Sequence, residues 1–323
     1  MSVAHRGTRG TGSASLLALC FVVACAGGDA RPATAPPPPV PVVPVPAPPP
    51  APLDVSGWVH ATDGTMPLVI IAPHGGDLAP AELPDRTCAG CETVNDANTQ
   101  ALAIAIADAF EARVGRRPFV VINRLSRRKF DANRDRTEAT GGHSPLDPMW
   151  DLFHARVDSA KARATRIHPH ALVIDLHGHA HAVPRLELGY LLTGSNLRLA
   201  DSLLAPLMPQ SSIARLDTAS QSGARGAALV RGPLALGTRL ATAGYPSVPS
   251  AQDPAPQSAD AYFNGGYNTL RHGSRAAGTV DAVQLECYNA GVRDSPANRA
   301  LFAEVLATAL LGFLADHYHW VPA

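Results

Sequence analysis

The stretch VIDLHGHAH, residues 173–181, is the most informative feature of this sequence. Its apolar beginning predicts a buried strand, and three histidines follow at alternate positions, His177, His179 and His181. Because alternate side chains of an extended chain lie on one side, these histidines are expected to point the same way. The end of a strand in an α/β sheet is the usual place for ligand and metal chemistry. Surface histidines that only form hydrogen bonds are the alternative.

A second apolar stretch, residues 68–72, also ends at a histidine, His74, which two glycines follow. Two strand-end histidines beside glycines indicate a metal site, with zinc as the favoured ion. A catalytic zinc takes about three protein ligands and keeps one position open for water, so a carboxylate is expected to join the histidines. The candidates for it are Asp77, Asp96 and, more weakly, Glu82 and Asp85. Asp96 can equally be a plain helix cap.

Two further segments carry groups suited to catalysis. The basic segment NRLSRRKFDANRD, residues 123–135, follows a predicted strand, and its guanidinium groups match a substrate carboxylate in bidentate fashion. In VQLEC, residues 283–287, Glu286 stands in an apolar strand where burial without a role is unfavourable. A general base beside a zinc site is such a role, and an ion pair with a nearby arginine is the alternative.

Several other classes of function are disfavoured. Lys and Arg together number 27, as do Asp and Glu, so the chain has no net attraction to nucleic acid, and the basic segment lacks interleaved aromatic residues. The sequence has no GxSxG nucleophile elbow, and the glycines after His74 do not continue into a dinucleotide or phosphate loop.

The remaining pattern alternates strands with helices, which predicts an α/β fold with a mainly parallel or mixed sheet flanked by helices. Residues 209–275, rich in Ser, Gly, Pro and Ala, are expected to form long loops over one end of the sheet. The predicted strands are 68–72, 119–122, 171–176, 186–192 and 282–287. The predicted helices are 99–114, with Asn95 or Asp96 as its N-cap, and 149–167, 197–207 and 298–317.

The N-terminal residues predict export. Residues 1–25 have a basic start and a short apolar run, and Val22-Val23-Ala24-Cys25 resembles a bacterial lipobox, which implies lipidation of Cys25. An ordinary signal peptide is the alternative. Residues 26–55 are rich in Pro, Ala and Val and predict an extended tether. Residues 56–323 are then one catalytic domain in the bacterial cell envelope, at the outer membrane because no aspartate follows Cys25.

Three cysteines lie beyond the predicted leader. Cys88 and Cys91 are expected to form a local disulfide, since the protein is predicted to be exported and no second CxxC completes a zinc site. Cys287 is expected to be single and buried.

The motifs together resemble the N-formylglutamate amidohydrolase family and the wider zinc-carboxypeptidase-like hydrolases. They occur in the family's order between about residues 67 and 290. The resemblance implies a three-layer phosphorylase/hydrolase-like fold of the zinc-carboxypeptidase type. The resembling segments are Pro73-His74-Gly75-Gly76, Asp131-Ala132-Asn133-Arg134, Asp175-Leu176-His177, Gly265-Gly266-Tyr267 and Gln284-Leu285-Glu286.

The resemblance also implies roles for single residues. His74 and His177 become ligands of one zinc ion per chain. Asp96, with Thr99 close behind it, fits the acidic ligand, whereas Asp77 matches the carboxypeptidase spacing. Glu286 becomes the general base. The residues implied to bind substrate are Asn133 and Arg134, with Arg127 or Arg128, which hold a carboxylate, and Tyr267.

The expected activity is zinc-dependent hydrolysis of an amide or peptide bond next to a free carboxylate. Formylglutamate is a cytoplasmic catabolite, so a peptidoglycan fragment, a γ-glutamyl polymer or a short peptide suits an exported protein better. Two alternatives stay open. One is a metallocarboxypeptidase acting on peptides or peptidoglycan, and the other is a lipoprotein that binds zinc or a ligand without catalysis.

Overall fold

The computed structural model describes residues 53–276 and 278–322. The predicted signal peptide, the lipidation site Cys25 and residues 26–52 of the predicted tether lie outside the described residues.

A seven-stranded sheet forms the centre of the fold, in the order β1-β3-β2-β4-β7-β5-β6. Its strands are β1 (Val59–Thr62), β2 (Leu68–Ala72), β3 (Phe119–Asn123), β4 (Ala171–Gly178), β5 (Leu186–Gly189), β6 (Ser247–Val248) and β7 (Val280–Cys287). The neighbours β3, β2, β4 and β7 are parallel, whereas β1 is antiparallel to β3 and β5 is antiparallel to β7. The predicted mixed α/β sheet is thus confirmed.

The helices flank this sheet. They are α1 (Thr99–Val114), α2 (Arg136–Thr140), α3 (Asp147–Ile167), α4 (Gly194–Leu197), α5 (Asp201–Leu204), α6 (Ala214–Ala219), α7 (Ala227–Arg231), α8 (Leu236–Thr242), α9 (Tyr267–His272) and α10 (Pro296–Tyr318). Short 3-10 helices cover Ser56–Trp58, Ser144–Leu146, Ala205–Gln210 and Ser274–Ala276.

Each face of the sheet has its own apolar core. On one face Ile70 and Ile174 pack in one cluster with Phe110 of α1 and Phe313 of α10. On the other face Val173 and its strand neighbours pack with α3. Successive side chains of a strand point to opposite faces of the sheet, so neighbouring residues pack alternately in one core and the other. The result is the three-layer arrangement of helix, sheet and helix.

Two sequence predictions about the helices are wrong. Residues 197–207 do not form one helix: α4 ends at Leu197, α5 covers Asp201–Leu204, and a 3-10 helix follows. Proline supplies no backbone N–H and disrupts a helix interior, and Pro206 and Pro209 lie in this segment. Residues 209–275 are not only loops, since α6 to α9 and β6 form within them. Frequent Gly and Pro keep these helices short, but buried apolar side chains still stabilise them.

Both predictions for the cysteines hold in the structure. Cys88 and Cys91 form a disulfide, and Cys287 is free and buried in β7.

Three neighbouring parallel strands, β2, β4 and β7, position the candidate site residues. His74 follows the end of β2, His177 lies near the end of β4, and Glu286 is the direct partner of His177 in β7. Parallel strands bring their carboxyl ends to one edge of the sheet, so these three side chains meet there.

A buried histidine pair joins α3 to α9 close to this edge. Nδ1 of His154 lies 3.0 Å from Nε2 of His272, and Nδ1 of His272 lies 3.4 Å from a carboxylate oxygen of Asp158. Burial lowers the pKa of both histidines. In the folded protein the pair is therefore neutral at neutral pH.

The pair predicts that the protein loses stability in mild acid. Burial, with the charges of His272 and Arg271, lowers the pKa of His154 from 6.5 to about 2. Below pH 6.5 the unfolded chain therefore binds a proton that the folded chain excludes. The free energy of unfolding falls as the pH falls from that value towards 2.

Chemical denaturation near pH 7.5 and near pH 5 measures this effect. His154 alone is expected to account for a loss of about 2 kcal/mol between these conditions, and His154→Phe removes that part of the loss. The matched control is His60→Phe, at an exposed position of β1, which leaves the pH dependence unchanged. An equal loss in the parent and in His154→Phe would contradict the account.

Candidate metal centre

Three buried side chains from separate parts of the chain converge on one point. Oδ2 of Asp96 lies 3.2 Å from Nδ1 of His74 and 3.1 Å from Nδ1 of His177. The two histidine Nδ1 atoms are themselves 3.1 Å apart. All three residues are at most 6% exposed, so little water can separate them.

The spacing of these atoms fits a single metal ion. Three ligand atoms at about 2.0–2.1 Å from a tetrahedral zinc lie roughly 3.3 Å from one another. The observed separations of 3.1–3.2 Å are close to that value. His74, Asp96 and His177 are therefore a group that can hold a metal ion.

A carboxylate on the far side of each histidine ring determines which ring nitrogen carries the proton. Nε2 of His74 lies 2.6 Å from Oδ1 of Asp131, and Nε2 of His177 lies 3.1 Å from Oδ1 of Asp175. An ionised carboxylate only accepts hydrogen bonds, so each neutral ring carries its proton on Nε2. Nδ1 of each ring then presents a lone pair to Asp96. Three electron-rich atoms repel one another unless a positive charge sits between them.

The charges around the cluster favour that positive charge. Burial alone lowers the pKa of His177, but the carboxylates of Asp175, Asp96 and Glu286 raise it well above its ordinary value. A proton or a metal ion can supply the charge that these carboxylates favour.

Asp131 stays ionised although it is fully buried. Burial raises the pKa of its carboxyl, but His74, Arg127 and Arg134 together hold that pKa well below its usual value. Its oxygens also accept hydrogen bonds from the Arg127 Nε at 3.0 Å and from the backbone N–H of Asn133 at 2.9 Å. The carboxylate that orients His74 is thus firmly held.

Asp96 turns its carboxylate towards the histidines and does not cap α1, so the predicted N-cap at Asn95 or Asp96 is wrong. The cap position is Asn98, with φ 69° in the left-handed region, and Asp96 supports the helix start through its backbone carbonyl. Its Oδ2 also accepts from the backbone N–H of Gly178 at 3.2 Å. The other candidates Asp77, Glu82 and Asp85 are exposed and lie outside the cluster.

Glu286 faces the same space. Because it pairs with His177 across parallel strands, the two side chains lie on one face of the sheet. Its Oε1 accepts a hydrogen bond from Gln284 at 2.9 Å, and no described residue donates to the buried Oε2. Burial raises the pKa of Glu286 to about 8.

These groups line a cavity of about 220 Å³, hereafter the metal cavity. Besides the three candidate ligands and Glu286, its lining includes Arg127, Asn133, Arg134, Phe263, Gly265, Gly266 and Gln284. The cavity thus combines a cation-favouring cluster, a carboxyl group with one oxygen that accepts no hydrogen bond from a described residue, and two guanidinium groups.

The predicted carboxylate clamp is divided between different tasks. Arg127 binds Asp131 through Nε and approaches Asp96 through Nη1 at 3.5 Å, so it is committed to the ligand cluster. Arg134 uses Nε and Nη1 on Glu138 and on the carbonyl of Asn133, and its Nη2 makes no hydrogen bond to a described residue. Arg134 is therefore the more available donor in the cavity.

Asn133 is held rigidly beside these arginines. Its Oδ1 accepts from the backbone N–H of Asn268 at 2.7 Å, so its Nδ2 is turned towards the cavity, 3.4 Å from the His177 ring. Close contact of the chain at Gly266 leaves no room for a side chain there, because an added Cβ would lie 2.5 Å from Asn133 Nδ2.

Two predicted substrate contacts lie elsewhere. Arg128 is more than half exposed beside Asp85 and is not part of the cavity wall. Tyr267 packs near Trp150 and His154, with ring centroids 6.3 and 5.7 Å away, and does not line the metal cavity. Its contact with substrate stays a prediction.

Of the three alternate histidines, only His177 joins the candidate metal ligands. β4 ends at Gly178, before His179 and His181. Nε2 of His179 donates to the carbonyl of Arg185 at 2.8 Å, and Nδ1 of His181 lies 2.8 Å from Glu187. His179 and His181 thus belong to a separate group with Glu187.

Sequence reasoning assigned no role to Asp131, Asp175 or Gln284. Asp175 carried a usable signal, since a residue two positions before His177 in a strand must share its face. Gln284 has the same relation to Glu286. Asp131 carried none, because only the tertiary fold brings it to the His74 ring.

Comparison with known proteins gives a limited likeness. No family model matches this chain, and no curated protein does. Among solved structures, an N-formylglutamate amidohydrolase from Ralstonia eutropha JMP134 has a TM-score of 0.47 and 14% identity, covering 78% of this chain and 94% of that chain. A gene product from Agrobacterium tumefaciens has the same TM-score and coverage at 15% identity. The first carries the name of the family that the sequence motifs resemble.

The hydrogen bond from His177 to Asp175 predicts a loss of metal affinity in Asp175→Asn. An amide holds the ring proton less firmly than a carboxylate and adds no negative charge, so zinc affinity is expected to fall about 10- to 100-fold. Competition with a chromophoric chelator measures the affinity. Asp151→Asn, at an exposed ion pair with Arg136, is the control that keeps the parent value. Unchanged zinc affinity in Asp175→Asn would show that the carboxylate of Asp175 does not orient the His177 ring.

Proposed function

We propose that this protein is a zinc-dependent hydrolase that cleaves an amide or peptide bond next to a free carboxylate. One observation carries the proposal. The three converging donor atoms and the unpartnered carboxylate oxygen of Glu286 face one small buried cavity, which Arg134 also lines. A metal ligand set, a base and a group that binds carboxylates are what such a hydrolysis requires.

Two histidines and one carboxylate favour zinc over other ions. Imidazole nitrogen suits zinc, and three protein ligands leave one position open, as in catalytic zinc sites. We expect one ion per chain, held by His74, Asp96 and His177. When bound, the ion polarises the substrate carbonyl and lowers the pKa of water in the open position.

Glu286 is the proposed general base. Its carboxyl has a pKa raised by burial, and a divalent cation at the neighbouring donors favours the ionised form. Glu286 takes a proton from the attacking water as the new C–O bond forms. It passes that proton to the leaving nitrogen as the C–N bond breaks. The products are a carboxylic acid and an amine, so atoms and charge balance.

Arg134 and Asn133 are proposed to bind the substrate carboxylate, with Arg127 adding positive charge from behind. A guanidinium donor and an amide donor on one side of the cavity fix the scissile bond relative to Glu286. Tyr267 is proposed to reach the substrate after a side-chain rotation, since it begins α9 directly beside Gly266.

The proposed location is the bacterial cell envelope, at the outer membrane. It rests on the N-terminal sequence, in which residues 1–25 have the pattern of a lipoprotein signal, Cys25 is the lipidation site and residues 26–55 are the tether to the catalytic domain 56–323. A short peptide, a γ-glutamyl polymer or a peptidoglycan fragment suits this location, and nucleic acid is not a proposed partner.

Glu286→Gln tests this function. It removes the base but keeps the size of the side chain. The rate of hydrolysis of N-acyl amino acids, or of release of C-terminal residues from peptides, is therefore expected to fall by about 10²- to 10⁴-fold. The zinc content is expected to stay at the parent level. Glu304→Gln, at a surface ion pair of α10, is the control with parent activity. Unchanged turnover in Glu286→Gln would refute the proposed mechanism.

A comparison of substrates separates an amidohydrolase from a metallocarboxypeptidase. Cleavage of N-acyl amino acids supports the former, and release of C-terminal residues from peptides supports the latter. Zinc binding without either activity would instead indicate a binding protein.

A further inference from the structure

A second cavity of about 480 Å³ adjoins the metal cavity and is more than twice as large. The two share five lining residues, Asp96, Arg127, Arg134, Gly178 and Phe263, so they lie side by side. This acyl cavity, as we name it, extends the site away from Asn133 and Glu286, which line only the metal cavity.

One wall of the acyl cavity is a rigid pair of rings, Phe263 and His181, hereafter the aromatic platform. Their ring centroids are 4.5 Å apart and their planes meet at 25°, which is a stacked arrangement. Both rings line the cavity. The stacked histidine supports the Phe263 ring, whose remaining exposed surface is apolar and available to an aromatic ligand.

A single buried carboxylate holds both members of the platform. Glu187 is 0% exposed, and its Oε1 lies 2.8 Å from Nδ1 of His181. Its Oε2 accepts from the backbone N–H of Phe263 at 2.7 Å. A buried carboxylate is unfavourable unless it is well paired, so the platform has a fixed and fully satisfied support.

The loop that carries Phe263 is anchored on both sides. The hydroxyl of Tyr262 donates to the carbonyl of Leu188 at 2.6 Å, and the backbone N–H of Leu191 donates to the carbonyl of Asn264 at 2.6 Å. The position of Phe263 is therefore set by the fold before any ligand arrives.

The platform also exposes apolar surface that a ligand can cover. Phe263 is 44% exposed and Val94, on another part of the same cavity wall, is 70% exposed. Covering such surface stabilises a complex by roughly 25 cal/mol per Å². Most other residues of the cavity wall are polar, so Phe263 and Val94 supply most of its apolar surface.

We propose that the acyl cavity receives an acyl group much larger than formyl, with a planar apolar ring resting on the aromatic platform. This inference rests on the proposed function. Asn133 lines only the metal cavity and Arg134 lines both, so a carboxylate held between them lies at the metal-cavity side of Arg134 and leaves the larger cavity for the acyl side of the scissile bond. A formyl group needs little more than the roughly 30 Å³ that one water molecule occupies, so it would leave the acyl cavity unused.

Two compounds that share their amino acid half test the inference, N-benzoyl-L-glutamate and N-formyl-L-glutamate. The metal-loaded full-length protein is expected to have a kcat/KM at least about tenfold higher for the benzoyl compound. Phe263→Ala is expected to reduce that preference about tenfold. Leu203→Ala removes a similarly exposed apolar side chain that lines neither cavity, and it keeps the parent preference.

Calorimetry on the metal-loaded Glu286→Gln variant gives a second measurement that needs no turnover. Tighter binding of the benzoyl compound, lost when Phe263→Ala is added, supports the inference even if no hydrolysis of either compound is found. In that case only the proposed reaction fails. Equal affinities for the two compounds, or an equal effect of Phe263→Ala on both, would overturn the acyl cavity as a site for a ring.

Discussion

Three lone pairs that face one another across 3.1–3.2 Å are the constraint on which the rest of this structure depends. Asp131 and Asp175 hold the ring protons of His74 and His177 on the far side, so a neutral ring cannot relieve the repulsion by turning a donor inwards. Only a positive charge satisfies the arrangement. A proton or a metal ion at this point satisfies the cluster, and the three side chains form a group that can hold a metal ion.

The sheet order explains how distant residues reach this point. Since β2, β4 and β7 are parallel neighbours, their ends deliver His74, His177 and Glu286 to one edge. The α3 face of the sheet begins as the apolar core around Val173 and becomes polar towards its carboxyl end. The same strands thus stabilise the fold at one end and position the chemistry at the other. Buried carboxylates at that end are perturbed in ways typical of functional sites.

Residues at strand ends were predictable from the sequence, and residues brought in by tertiary contacts were not. His74, His177 and Glu286 each follow or end an apolar run, so their neighbourhood could be inferred. Asp96 stayed ambiguous, because an aspartate before a helix has the same local sequence whether it caps the helix or turns towards a metal site. His179 and His181 misled, since they bond to the Arg185 carbonyl and to Glu187 and belong to a group separate from His177. The aromatic platform depends on Glu187, whose two hydrogen bonds leave no mark in the sequence. The long helix expected at 197–207 failed for a local reason, the prolines within it.

The most direct test of the account is the metal content of the full-length protein, purified without a polyhistidine tag, beside two single-histidine variants. We expect about one zinc ion per chain in the parent, loss of the ion in His177→Ala and retention of the ion in His179→Ala. These two histidines are two residues apart in the same stretch. Comparing the two variants therefore shows whether metal loss is specific to the cluster or follows from removing any histidine of this stretch. A parent without metal after zinc dialysis, or equal loss in both variants, would contradict the central claim that His74, Asp96 and His177 form the metal centre.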